Sequence, residues 1–76
     1  MMPLAMAPEN RPLTIQRLGG SGPRKKFIEG LGFTAGAGIT VLSKTGDSMI
    51  VSVRGTRVAV NKEVALKIYI TEEVFS

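Results

Sequence analysis

A chain of 76 residues makes one small domain, with room for one modest core and none for a deep catalytic cleft. It has no cysteine and no histidine, which excludes disulfide staples, thiolate metal sites, and the commonest general base and transition-metal ligand. The net charge of +4 fits an anionic partner, and equally an ordinary soluble surface.

Residues 1–12 carry three prolines, Pro3, Pro8 and Pro12, and are expected to form a loose or extended arm. Leu4-Ala5-Met6-Ala7 has the small residues of a cleavage site. It lacks a positively charged start and an apolar region of roughly 7–15 residues, so a signal peptide is not expected. No apolar run approaches the ~20 residues that span a bilayer. The expected location is cytoplasmic, without membrane insertion.

The body, 13–71, reads as a string of short strands. Leu13-Thr14-Ile15-Gln16-Arg17 alternates apolar and polar residues, as a half-buried strand does. Gly19-Gly20-Ser21-Gly22 breaks it. A short helix follows, with Ser21 as N-cap and Pro23 in its first turn. Arg24, Phe27, Ile28 and Leu31 fall at i, i+3, i+4 and i+7, on one helical face. Gly32 supplies the left-handed conformation that ends the helix.

Ile39 to Ser43 is the next strand, with Ile39 and Val41 on one face. Gly46-Asp47 turns the chain into Ser48 to Val53, with Met49, Val51 and Val53 on one face. Arg54-Gly55 is a two-residue hairpin loop leading to Thr56 to Val60. Asn61 caps a single helical turn, Lys62 to Ala65. Leu66 to Thr71 closes the pattern, with Leu66, Ile68 and Ile70 on one face. Residues 72–76 form a short acidic tail. About five short strands with one amphipathic helix and one helical turn imply a mainly β fold. A partly open SH3-like barrel fits best, with an oligonucleotide-binding barrel as the alternative.

Little in the chain carries catalysis. The six acids, Glu9, Glu29, Asp47, Glu63, Glu72 and Glu73, form no pair suited to acid–base work, and no nucleophile elbow is present. An enzyme is not expected. Gly19 to Lys26 lacks phosphate-loop spacing and reads as a turn with a basic flank. With only oxygen ligands, no tight first-row metal site and no cofactor are expected. The apolar face is the better candidate. Phe27, Ile28 and Leu31 with Phe33, rimmed by Lys25 and Lys26, are expected to lie mostly in the core. Any part left exposed forms a docking patch for a protein partner or a second copy of the chain. The basic charge makes a small nucleic-acid-binding barrel the alternative. Aromatic residues are 5%, however, and Tyr69 beside Lys67 is the one ring on a convincing strand.

The succession Arg24, Phe27-Ile28-Glu29-Gly30-Leu31-Gly32-Phe33 and Gly36 resembles the pattern of the FeoA family, ferrous iron transport protein A. There an arginine-bearing helix precedes a leucine–small–apolar–glycine turn. Gly46-Asp47, then Val51-Ser52-Val53-Arg54-Gly55 through Val58-Ala59-Val60, then Ala65 and Ile68-Tyr69-Ile70 resemble the family's second half. Ala35 stands where proline is common, and Ser48 follows Gly46-Asp47 where many members have proline. The resemblance implies an SH3-like barrel in a cytosolic accessory protein of ferrous iron uptake. The implied partner is the membrane transporter FeoB, which carries a GTP-binding domain. It adds Arg24, Arg54 and Arg57 to the candidate partner-binding residues. An arginine among them would enter the transporter's GTP site if the protein accelerates hydrolysis. Such a role does not require the chain itself to touch iron.

Overall fold

The computed structural model describes residues 2–20 and 22–72. Its strands are β1 (Met2–Pro3), β2 (Leu13–Leu18), β3 (Gly38–Thr45), β4 (Ser48–Val53), β5 (Thr56–Asn61) and β6 (Ile68–Glu72). Helix α1 (Pro23–Gly30) lies between β2 and β3, and the single turn α2 (Lys62–Ala65) between β5 and β6. The strands make one antiparallel sheet of six in the order β1-β6-β2-β3-β4-β5. β1 and β5 are its two edges, so the mainly β, SH3-like architecture is an open sheet and not a closed barrel.

Two bulges bend this sheet. The register shifts between Ile15 and Arg17 on β2, and between Val41 and Ser43 on β3. Each leaves one residue unpaired and increases the local twist. The alternation read from the sequence places Ile39, Val41, Met49, Val51 and Val53 in the core, with Leu13 and Ile15 beside them. The core is completed from outside the sheet by Ile28, Phe33 and Ala65.

The first residues of the chain depart from the expected loose arm. Met2 pairs with Ile70 and Pro3 with Tyr69. Leu4, in a 3₁₀ turn over Leu4–Met6, is completely buried, as is Ala7. Further on, the Asn10 N–H donates to the Val41 carbonyl at 2.7 Å. The reason is tertiary pairing along β6, which proline does not prevent: a two-residue edge strand tolerates it, because it has no N–H to leave unpaired. Buried Leu4 and Ala7 then hold the segment against the core. The sixth strand, absent from the five expected, is this segment.

Helix α1 ends as its sequence implies. Leu31 is the C-cap and Gly32 follows at φ +105°. The Gly32 N–H donates to Glu29 O at 3.0 Å, and the Phe33 N–H to Ile28 O at 3.4 Å. This is the paired closure of a Schellman motif, and the buried Ile28 and Phe33 occupy the positions that pack together in it. At its start the cap position is Gly22, with no side-chain cap hydrogen bond; Ser21, expected there, lies outside the described residues. The loop after α1 turns on Thr34–Ala37, where Ala37 N–H donates to Thr34 O at 3.0 Å and Gly36 sits at φ +90°. A positive φ at the third position makes this a type II turn.

The Asn61 cap is present: its Oδ1 accepts from the Val64 N–H at 2.8 Å. Leu66 does not join β6 as expected. It is the C-cap of α2 and 43% exposed, because Leu66 N–H and Lys67 N–H continue the helical turn to Lys62 O and Val64 O. Strand β6 starts at Ile68. Its last residue, Glu72, pairs with Leu13, and 73–76 of the expected acidic tail lie outside the described residues.

Candidate partner-docking groove

The helix face read from the sequence divides in two. Ile28 and Phe33 point into the core, while Phe27 is 69% exposed and Leu31 39% exposed. The Schellman closure causes this split. It folds Phe33 back beneath Ile28 and leaves the flank carrying Phe27 and Leu31 uncovered.

That flank forms one wall of a groove of about 260 Å³. The helical side is Phe27, Ile28 and Leu31 over a floor that includes Phe33. The opposite side is Ala59, Val60 and Asn61 of β5 with Val64 of α2. Asn61 has two roles here. It lines the groove, and its cap sets the turn that puts Ala65 in the core and leaves Val64 half-buried beside the groove. Val64, Ala59, Val60 and Asn61 were not among the expected site residues. Their signal is weak: a one-turn helix shows no periodicity, and Ala59 alternates as a solvent-facing residue should.

The expected basic residues are only partly brought to this groove. Arg24 is in the first turn of α1, followed by half-buried Lys25 and exposed Lys26. Arg54 is not a free hairpin tip. Its Nη2 donates to Thr34 Oγ1 at 3.0 Å, and its stem lies against Gly32, where an added Cβ would come within 3.2 Å of Arg54 Cδ. Arg57 of β5, exposed, is paired with Ser52 of β4 and lies on the sheet face opposite to Val58 and Val60.

A second, more open cavity of about 200 Å³ lies at the β3–β4 turn, where Lys44 and Lys62 stand with Asp47 and Ser48. Mixed charge makes it a poor anion site. Tyr69 is half-buried, and the Arg17 guanidinium lies 4.9 Å from its ring centroid. One face of that ring is therefore taken by a cation–π contact of this chain. Among the described residues, no three carboxylates gather as metal ligands, and no helix is long and apolar enough to cross a membrane.

The sequence model of the FeoA domain matches residues 2–72. No curated protein matches the chain. Solved structures do. The solution structure of iron(II) transport protein A from Clostridium thermocellum superposes with TM-score 0.89 at 25% identity, over 93% of this chain and 45% of that one. The crystal structure of an iron uptake regulatory protein, FeoA, gives TM-score 0.87 at 25% identity, over 95% of this chain and 97% of that one. The zinc-complexed FeoA of Stenotrophomonas maltophilia, described as a prokaryotic SH3 domain protein, shares the fold with TM-score 0.82 at 19% identity, over 93% and 91%. The chain thus spans less than half of the Clostridium protein and nearly all of the other two. With the domain matched from β1 to the end of β6, and with the fold and glycine turns in place, this chain belongs to the FeoA family of ferrous iron transport domains.

Proposed function

We propose that this protein is a cytosolic accessory factor of ferrous iron uptake that works by contact, docking its α1–β5–α2 groove onto the cytoplasmic side of a FeoB-type transporter. The observation that carries the reading is the exposed Phe27 at the lip of an apolar groove. Burying a phenylalanine side chain is worth roughly 1.5–3 kcal/mol, and this fold leaves most of that for a partner to gain. Family membership supports the iron-transport setting. So does the S. maltophilia relative, which is put forward as a ferrous iron transport activating factor.

In this reading Phe27 and Leu31 are the apolar anchors, and Lys25 and Lys26 form the polar rim. Ile28 and Phe33 act from the core by holding the groove's shape. Arg54 holds the hairpin to the loop after α1, which argues against its entering a GTP site.

The test is capture of the cytoplasmic part of the FeoB-type transporter from the same source by the intact protein and by Phe27→Ser. Binding by the first and its loss in the second, with an unchanged circular dichroism spectrum, supports the docking role. Equal binding by both removes the groove from the function.

A further inference from the structure

Strand β5 is an edge of the sheet, and it is an unprotected one. Its pairing with β4 runs without a bulge from Val53↔Thr56 to Ser48↔Asn61. It contains no proline, and Arg57 is its one charged residue. Natural edges usually carry such blocking devices.

The hairpin fixes which backbone groups face outward. The residues flanking a two-residue loop form a hydrogen-bonded pair, so Val53↔Thr56, Val51↔Val58 and Met49↔Val60 exchange hydrogen bonds. Arg57 and Ala59 lie in the alternate pairs. Their N–H and C=O groups point away from β4, and among the described residues neither has a backbone partner. This open edge is the same strand that lines the apolar groove beneath Phe27 and Leu31.

Building on the docking reading above, we propose that the partner binds as an added β-strand: an extended segment lies along β5 and bonds to the outward N–H and C=O groups of Arg57 and Ala59. Its side chains alternate. Those on the inner face, level with Val58 and Val60, enter the groove between Phe27, Leu31 and Val64. Strand addition takes affinity from main-chain bonds and specificity from pockets for alternate side chains. The chemistry of the segment follows from the surroundings. Exposed Lys26, Arg57 and Lys62 and half-buried Lys25 stand on the elements that bound the groove, against Glu29 and Glu63. In a chain of net charge +4, this selects an apolar pair flanked by carboxylates.

The experiment uses the full-length protein and the cytoplasmic part of the FeoB-type transporter as probe. Amide exchange is followed residue by residue, free and bound. In the complex the Arg57 and Ala59 amides, open in the free protein, are protected at least about tenfold, while Val58 and Val60, already bonded to β4, change little. Ala59→Pro removes an outward N–H without touching the β4 ladder, so it folds as the parent does and binds about tenfold more weakly. Binding also weakens with added salt.

If Phe27→Ser abolishes binding while Ala59→Pro and the two amides are indifferent, strand addition is wrong and the groove reading stands. If the intact protein does not bind the transporter at all, both readings fall. Self-association through β5, with Arg57 and Ala59 protected in the absence of the probe and the Arg57 amide released by Ala59→Pro, would replace the proposed occupant with a second copy of the chain.

Discussion

Arg54 and Thr34 join the two parts of the molecule that bound the groove. Arg54 stands in the β4–β5 hairpin loop at φ +50°, and its Nη2 reaches Thr34 Oγ1 at 3.0 Å, twenty residues away in sequence. The hairpin that carries β5 is thereby tied to the loop that follows α1. The groove between α1 and β5 has its width set partly by this tie. An exposed hydrogen bond of this kind is worth about 0.5–1.5 kcal/mol.

The tie can be measured by a double-mutant cycle. Arg54→Asn retains a residue that tolerates the left-handed loop conformation, and Thr34→Val keeps the shape of Thr34 while removing its hydroxyl. We expect a coupling of about 0.5–1 kcal/mol in urea unfolding. Strict additivity of the two substitutions would show that the bond contributes nothing in solution.

Gly30 and Gly32 are two residues apart and respond in opposite directions to alanine. Gly30 is helical, and an added Cβ there meets nothing within 4 Å. Gly30→Ala should stabilise by about 0.5–1 kcal/mol. Gly32 sits at φ +105°, and its Cβ would press on Arg54 Cδ at 3.2 Å. Gly32→Ala should destabilise by at least ~1–2 kcal/mol. Thermal unfolding of the two variants reads the signs directly.

The type II turn at Thr34–Ala37 favours proline in its second position, which Ala35 occupies. No backbone hydrogen bond from the Ala35 N–H is present among the described residues. Ala35→Pro should therefore raise stability by about 0.4–1 kcal/mol, through the unfolded chain, without altering the fold. A fall in the denaturation midpoint would mean that the turn is of another type in solution.

Phe27 and Phe33 separate binding from folding. Phe33→Ala empties a fully buried site and should cost roughly 3–5 kcal/mol. A domain of this size has a total stability of only ~4–11 kcal/mol, so cooperative unfolding should be greatly weakened. Phe27→Ser, at a side chain 69% exposed, should shift stability by under ~1 kcal/mol. Equal losses of stability in the two would mean that Phe27 is covered in the free protein.

Leu4→Ala tests the beginning of the chain. With Leu4 completely buried, the substitution should cost about 2–5 kcal/mol. Removal of residues 1–7 should do more, because it also uncovers the outer edge of β6, which β1 now pairs. A truncated protein that unfolds at the parent's midpoint would restore the loose arm expected from its prolines.

What was legible in the sequence depended on interactions between close neighbours. The alternation Met49, Val51, Val53 marks a strand buried on one face. Asn61 caps the next turn three residues on, and Gly32 ends α1 through bonds spanning five residues or fewer. Each follows from short-range backbone chemistry. Tertiary structure alone decided three other matters. It drew Met2 onto Ile70 and so made an ordered strand of the expected arm. It left β5 without a neighbour. It divided the apolar residues around α1, covering Phe33 and exposing Phe27. In all three, whether a group is buried or paired depends on elements far away in the chain, and the local pattern of a strand or helix is the same whether or not that neighbour arrives.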